Sequence, residues 1–528
     1  MAFRETLTHY VNAGFPALWV QSHEETRAIQ DIVAVAKTLK PPRPVWTWAI
    51  TEGWKEIGSP KAIKAADPIT ALKSTFPQPG VTGSSACPEE SILILKDFHP
   101  YSVENAQVKR VFRDLLPALK STGRLLLFLS PTVAIPVEWE KEIQVLTYIL
   151  PNRDELGVIL DAVVNSVGAS NAKIEDRIAV LEASRGLTAS EAENAFSLAI
   201  VKHKSFNNAA IKTIQAEKAA AVRKSGILEY FEADVTDTDI GGLNVLKTWL
   251  RKRGKAFSDA ARAFGLRPPK GVLLMGVPGG GKSLSAKAAS NMWKVPILKL
   301  DLGKVFGSLV GKSEENMRTA CSTADACAPC ILWVDEIEKG LAGMASSGAT
   351  DSGVTSRVFG TFLTWMQEKK SQVFVIATAN NVSKIPPEFL RKGRFDEVFA
   401  IDLPSASERK EIFEIHLKAR ERKPEKFDLD VLVAASTDFT GAEIEEVINS
   451  ALFDAFDAGG DITTESVVKC VKETKPLALT AAEQIATIRK WIEEGRARAA
   501  SDGEAAAPIG PRKVRRVGLT SSEGANAD

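Results

Sequence analysis

The stretch that most constrains this chain is GVLLMGVPGGGKSLSAKAAS, residues 271–290. Gly271 to Met275 reads as a buried strand, Gly276 to Ser283 fits G-x-x-x-x-G-K-[ST], and an Ala-rich helix starts at the lysine. Phosphate binding needs this order. A glycine-rich turn lets successive backbone N–H groups converge on phosphate oxygens, and the helix N-terminus behind them adds positive potential. Lys282 would then reach the β- and γ-phosphates, and Ser283 would hold Mg²⁺. A glycine-rich surface turn would leave the Lys-Ser pair without a reason.

A second constellation lies downstream. ILWVDE, Ile331 to Glu336, sets apolar residues before two carboxylates, which is how a central strand delivers acids to its C-terminal edge beside a phosphate loop. Asp335 would hold Mg²⁺ with Ser283, and Glu336 would polarise the attacking water. VFVIATANN, Val373 to Asn381, is a strand ending in an amide. Asn380 can hydrogen-bond that water or the γ-phosphate without adding charge. IPPEFLRKGRFDEVF then places Arg391 and Arg394 in one short turn. Such arginines usually form surface salt bridges, but one delivered to a neighbouring subunit's γ-phosphate accelerates transfer by about 10³ to 10⁵.

With 528 residues the chain exceeds a single core. Lys+Arg 67 against Asp+Glu 66 leaves a net charge of +1, so no global field steers it to nucleic acid or anionic membrane. Five cysteines (Cys87, Cys321, Cys327, Cys330, Cys470) form an odd, sparse set suited to a reducing compartment such as the cytoplasm. Cys327-x-x-Cys330 abuts a buried strand with no second Cys pair or His cluster, so it reads as packing, not zinc. His23-Glu24-Glu25 fails as a zinc-protease signature because position 27 is Arg27. MAFRETLTHY has no apolar core of a signal peptide, and nowhere do about 18 uncharged apolar residues run together.

Strands alternate with helices twice along the chain, which predicts two parallel, helix-covered sheets. In the first half the strands are ALWVQS, VWTWAI, SILILKDF, RLLLFLSP and VLTYILP, with a loose segment reaching to about Glu90; in the second they are GVLLMG, PILKLDL, CILWVDEI, VFVIATAN and VFAIDLP. The parallel reaches detail: ILPNRDELGVIL matches DLPSASERKEIF, and GLTASEAENAFSLAI matches DFTGAEIEEVINSAL. The first copy has no phosphate loop between Ser22 and the helix at Glu24. Its third strand ends Lys96-Asp97-Phe98, which reads as a retained metal-directed Asp without an acidic neighbour to orient water. Asn208 to Tyr230 reads as a connecting helix that stops near Gly226. LTAAEQIATIRKWIEEGRARAA is a last helix with a capping-box signature at Thr480 and Glu483. From Ser501 the composition predicts disorder, and its basic run PRKVRRVG (Pro511 to Gly518) reads as a solvated charge run or, less directly, a nucleic-acid contact.

Phosphate loop, D-E strand, Asn strand and RKGRFDE turn, in this order, resemble the AAA clade of ATPases over residues of about 235 to 475. The resemblance implies a large α/β domain with a small helical lid, here preceded by a degenerate copy. The segments are 1–205 degenerate AAA-like domain, 206–234 linker helix, 235–405 large ATPase domain, 406–475 helical lid, and 476–528 C-terminal helix and tail. By similarity, ATP or ADP sits between large domain and lid. Pro278, Gly279, Gly280, Gly281, Lys282, Ser283 and Leu284 wrap its phosphates. Asp239, Ile240, Gly241, His416, Gly441 and Ala442 surround its adenine, although a lone His on a helix is often only a core residue. The resemblance also implies a homo-oligomeric ring, typically a hexamer, because the next subunit's arginines complete the site. LVGKSEENMR, VTSRVFGTFLTWMQEK and ATANNVSKIPPEFLRKGRFDEVF are similar to AAA proteins first noted as plastid reading frames, common in cyanobacteria, that carry a degenerate N-terminal region. That similarity extends the expected location from cytoplasm to plastid stroma.

One departure bears on mechanism. Ring members that thread polypeptide present an aromatic-apolar-Gly loop to the pore, whereas here Leu309 precedes Val310-Gly311. A second pore loop would be GMASSGATDSG, Gly343 to Gly353. The expected function is thus Mg²⁺-dependent ATP hydrolysis coupled to remodelling a protein partner. A nucleotide-gated scaffold and a nucleic-acid motor stand as the alternatives.

Overall fold

Successive residues of the central strands diverge to opposite faces, and in this chain both destinations are apolar. In the first half, Trp19, Leu93, Leu95 and Phe128 join one buried cluster while Leu18, Ile92, Ile94 and Leu127 join another. A sheet apolar on both faces must be covered on both, which requires helical crossovers and hence parallel strands. The computed structural model describes residues 3–76, 87–168, 172–224, 226–231, 235–306, 312–345, 351–391 and 393–502. It divides into two units, Met1–Ala221 and Val222–Asp528.

The first unit carries β1 (Ala17–Gln21), β2 (Val45–Ala49), β3 (Gly53–Glu56), β4 (Ala62–Ile63), β5 (Ile92–Lys96), β6 (Leu125–Ser130) and β7 (Gln144–Thr147). They lie in the order β4-β3-β2-β5-β6-β1-β7, with β2, β5, β6, β1 and β7 parallel. A small pair, β8 (Lys173–Ile174) and β9 (Ser205–Phe206), belongs to a helical region with its own core around Leu156, Leu160, Phe196 and Phe206. The second unit carries β10 (Leu228–Phe231), β11 (Gly271–Gly276), β12 (Ile297–Leu300), β13 (Cys330–Val334), β14 (Val373–Ala379), β15 (Glu397–Ile401) and β16 (Arg498–Ala499), in the order β10-β12-β13-β14-β11-β15-β16. Numbered within each unit, the five parallel core strands follow one plan, second-third-fourth-first-fifth. A lid follows, with a separate core around Phe413, Leu417, Leu432, Val447 and Val467.

Both lids start in the same way. Asn152 with Glu155 and Thr188 with Glu191 form capping boxes in the first unit, as Ser405 with Glu408 and Thr440 with Glu443 do in the second. Each box satisfies two N–H groups that the helix leaves unpaired and contributes about 1 kcal/mol. The doubled α/β architecture expected from the repeats is therefore present.

Several local expectations are corrected. The helix beginning at Asn208 ends at Lys224, and Leu228–Phe231 pairs antiparallel with Ile297–Leu300 as β10. The loose segment before Glu90 contains β3, β4 and a helix Pro68–Lys73. Helix Ala482–Glu493 has Ala481 at its N-cap and no side-chain cap, so Thr480 and Glu483 form no capping box. Asp97 does not stand at the metal position. Register matches Ile92 with Ile331 beside the fourth strand, so Lys96 takes the place of Asp335 and Asp97 that of Glu336, both with φ +48°. Leu309 and the basic run 511–518 lie outside the described residues. So do residues 346–350 of the second candidate loop, whose flanks belong to helices Ile337–Ala345 and Asp351–Glu368.

Candidate nucleotide site

The phosphate loop hangs from the middle of the second sheet, because β11 pairs with β14 on one side and β15 on the other. Val277 to Gly281 then turns into the helix Lys282–Trp293. Gly279 has φ +79°, and a Cβ there would stand 2.9 Å from both Ala442 Cβ and Thr440 Oγ1. Gly281, at φ +88°, is the N-cap. Only glycine adopts these turns without strain while letting the lid approach. The lid does approach: Ala442 N–H donates to the Gly279 carbonyl at 3.3 Å.

Above the loop opens a cavity of about 320 Å³, within the size range of small-molecule pockets. It is lined by Pro278, Gly279, Gly280, Gly281, Lys282, Ser283 and Leu284, by Asp335, Glu336 and Asn380, by Asp239, Ile240 and Gly241, and by His416, Gly441 and Ala442. Arg391 and Arg394 do not line it. Arg394 donates through Nη1 to the Glu388 carbonyl, and Arg391 is exposed beside it.

Lys282 is only 6 % exposed, and its Nζ folds back onto the carbonyls of Gly276 (2.9 Å) and Val277 (2.7 Å). Burial lowers its pKa to about 8, against the opposing pull of Glu338, Asp335 and Glu336. Ser283 Oγ donates to Asp335 Oδ1 at 3.4 Å. The acids themselves are held by Thr378, which the sequence reading did not single out. Its buried hydroxyl donates to Asp335 Oδ1 at 2.6 Å and accepts the Glu336 N–H at 2.9 Å. Asn380 Nδ2 donates to Glu336 Oε1 at 2.8 Å, and Asn380 N–H donates to Glu338 Oε1 at 3.0 Å. Glu338, 5 % exposed, was also missed; its signal was a third acid two residues beyond the D-E pair. Glu336 in the left-handed region turns its carboxylate away from the strand path toward Asn380.

On the other side, His416 lies near Glu445 (Nδ1 to Oε1, 3.9 Å). Burial, outweighing attraction by Glu445 and joined by repulsion from Arg420, holds its pKa below the ordinary value. Glu408 and Glu411, on the same lid helix, grip the loop after Gly241: Gly242 N–H donates to Glu411 Oε2 at 2.8 Å and Leu243 N–H to Glu408 Oε1 at 3.2 Å. Ser501, assigned by sequence to a disordered tail, lines the same cavity.

The donor set suits Mg²⁺ better than a softer ion. Ser283 Oγ and Asp335 Oδ1 are hard oxygen ligands, and no cluster of three or more His, Cys, Asp or Glu able to cage a metal exists among the described residues. Mg²⁺ keeps several waters and shares its shell with substrate phosphates, so few protein ligands suffice. All five cysteines are buried and unbridged. No helix among the described residues is long and apolar enough to cross a membrane.

A glycine-rich phosphate loop, an Asp-Glu strand end, an amide strand end and a closing helical lid define a nucleotide-binding ATPase of the AAA class. Residues 272–403 match the family described as ATPase family associated with various cellular activities (AAA). Residues 3–148 match the SpoVK-like AAA ATPase N-terminal domain and 154–225 the SpoVK-like second domain. Over 506 residues the chain is 36% identical to the uncharacterized AAA domain-containing protein ycf46 of Guillardia theta, covering 95% of this chain and 97% of that protein. To the Pyropia yezoensis protein of the same name it is 34% identical over 504 residues, 95% and 100% of the two chains. A cell division cycle protein 48 homolog of Archaeoglobus fulgidus is 32% identical over 263 residues, 48% of this chain and 34% of that one. The chain belongs to the ycf46 family of AAA domain-containing proteins.

Proposed function

We propose that this chain hydrolyses ATP with Mg²⁺ in the pocket around Lys282, as a homo-oligomeric ring, and couples turnover to remodelling a protein partner. The observation that carries the proposal is the convergence of Lys282, Ser283, Asp335, Glu336 and Asn380 at one end of a cavity closed by Gly441 and Ala442. Adenine lies against Asp239, Ile240, Gly241 and His416, and the phosphates face the loop. Asp335 and Ser283 would hold Mg²⁺, and the ion would supply neutralisation of phosphate charge. Glu336, oriented by Asn380 and by its backbone bond to Thr378, accepts a proton from the attacking water. Lys282 exchanges its backbone carbonyls for phosphate oxygens.

Arg391 and Arg394 lie outside the pocket of their own chain, which supports their delivery to a neighbour's γ-phosphate and hence a ring. Mixing Glu336→Gln protein, which has an intact arginine turn, with Arg391→Ala/Arg394→Ala protein, which has an intact Glu336, tests this. Hydrolysis in the mixture far above that of either variant alone is expected. A mixture as inactive as its components removes the arginines from a neighbour's site. A nucleotide-gated scaffold is the second reading, favoured by Leu309 where threading rings carry an aromatic.

A further inference from the structure

The loop from Ile240 to Leu243 forms one wall of the pocket, and little in its own sequence fixes its shape. Leu243 adopts φ +54°, a left-handed conformation that a branched side chain rarely takes, and it is the N-cap of the helix Asn244–Gly254 without a side chain able to cap it. The missing bonds come from the far end of the chain. The Ala500 carbonyl accepts from the N–H groups of Val245 and Leu246, both at 3.1 Å, and so caps that helix from outside.

Ala500 is placed to do so by β16. Arg498 and Ala499 pair in parallel with Phe399 and Ala400 on β15, and Ala500 N–H donates to the Ala400 carbonyl at 2.9 Å. Ala500 itself is 1 % exposed and packs in the cluster of Leu246, Trp249 and Phe399. One residue on, the Ser501 hydroxyl donates to Glu408 Oε1, the same oxygen that accepts the Leu243 N–H. Glu408 Oε2 meanwhile caps its own lid helix through Ser405 N–H at 2.9 Å. Residues 500 and 501 thus join the pocket wall, the edge of the sheet and the first lid helix.

We propose that the segment Arg498–Ser501 is a positioning element of the nucleotide site, setting the wall Ile240–Leu243 for the base while leaving the phosphate loop unaffected. The proposal rests on the reading of this pocket as the ATP site with its base against Ile240 and Gly241. Deleting these contacts is expected to weaken recognition of the base and not of the triphosphate. A strained wall that is held by non-local bonds relaxes when they go.

The test uses two variants of the full chain. Ala500→Glu puts a carboxylate into the apolar cluster and expels the strand, and Ser501→Ala removes one bond only. Steady-state ATP hydrolysis is measured with inorganic tripolyphosphate as a competitive inhibitor. The KM for ATP is expected to rise roughly tenfold in Ala500→Glu and about threefold in Ser501→Ala, with kcat and the tripolyphosphate inhibition constant close to wild type. Unchanged KM in both variants, or equal weakening of ATP and tripolyphosphate, overturns the proposal. Should Ala500→Glu fail to fold, Ser501→Ala alone decides, and an unchanged KM there is fatal. Absence of ATP turnover in the wild-type protein would instead overturn the underlying assignment of the pocket.

Discussion

The two units share one topology and differ at the point where the first strand meets its helix. In the second unit Val277 to Gly281 supplies a loop wide enough to wrap phosphate, and Lys282 opens the helix; in the first, Ser22 to Glu24 spans the same gap and Glu25 opens it. The strand-end partner changes sign in step. Asp335 in the second unit is matched by Lys96 in the first, and Lys96 Nζ pairs with Glu25 Oε1 at 3.1 Å. Thr378 and Asn380 are matched in register by Leu129 and Pro131. Lys282 and Asp335, which line one cavity in the second unit, are replaced in the first by Glu25 and Lys96, which satisfy each other.

The first lid shows the same replacement. The lid helix capped by Thr440 presents Ala442 N–H to the loop carbonyl of Gly279, and the matching helix capped by Thr188 presents Ala189 N–H, one position nearer the cap, to Glu24 Oε1 at 2.6 Å. Glu24 is buried, with Oε2 2.7 Å from Arg27, which also reaches Glu155 at 2.9 Å and the Ile149 carbonyl. The Glu24 carboxylate thus sits at the N-terminus of the helix Ala189–His203, where negative charge is electrostatically favoured, while the helix Glu25–Thr38 at the phosphate-loop position has no side-chain cap. The comparison teaches that one architecture carries a glycine-rich loop and a lysine at this point in the second unit, and ion pairs of its own side chains, Lys96 with Glu25 and Arg27 with Glu24, in the first.

The largest expected asymmetry is catalytic. Glu336→Gln should lower turnover by about 10² to 10⁴ while leaving ATP binding intact, whereas Asp97→Asn, its register partner, should leave turnover within about twofold of wild type. Comparable losses from both, in a steady-state phosphate-release assay, would erase the distinction between the units. Next in size is stability. Glu24→Gln leaves Arg27 with Glu155 as its remaining charge partner and should destabilise the first unit by about 2 kcal/mol, read in urea unfolding by hydrogen exchange at residues 189–203. An unchanged midpoint would mean that the clamp is ornamental.

The smallest effect is in pH. Burial pushes Lys282 down from its ordinary 10.5 to about 8, so it is charged below that value and loses its proton as pH rises through it. ATP must then restore the proton on binding. The KM for ATP is expected to rise several-fold between about pH 8 and 9, since one proton accounts for at most about tenfold per pH unit. A flat KM across that range would mean that burial does not shift Lys282.

Much of the site was legible because its parts are contiguous in sequence. The loop 276–283, the acids at 335 and 336 and the amide at 380 each end a buried strand, so pattern and position agreed. The doubled plan was legible for the same reason, down to the match of GLTASEAENAFSLAI with DFTGAEIEEVINSAL, whose threonines Thr188 and Thr440 prove to be the helix caps. What escaped depends on partners distant in sequence. Thr378 is a small polar residue inside an apolar run and gains its role only from Asp335 one strand over. Glu408 and Ser501 meet across 93 positions. β10 and β16 are short edge strands whose hydrogen bonds come from the sheet, not from any local preference. Asp97 was misread because the Lys-Asp dipeptide suggested a surviving metal ligand, and only register with β6 shows which of the two acids it replaces.

Titration calorimetry of MgATP into the full-length Glu336→Gln protein tests the central claim most directly. A phosphate loop in the second unit and none in the first predict binding of a single nucleotide per chain, abolished by Lys282→Ala and retained in Lys96→Ala. Two nucleotides per chain, or none, would contradict it.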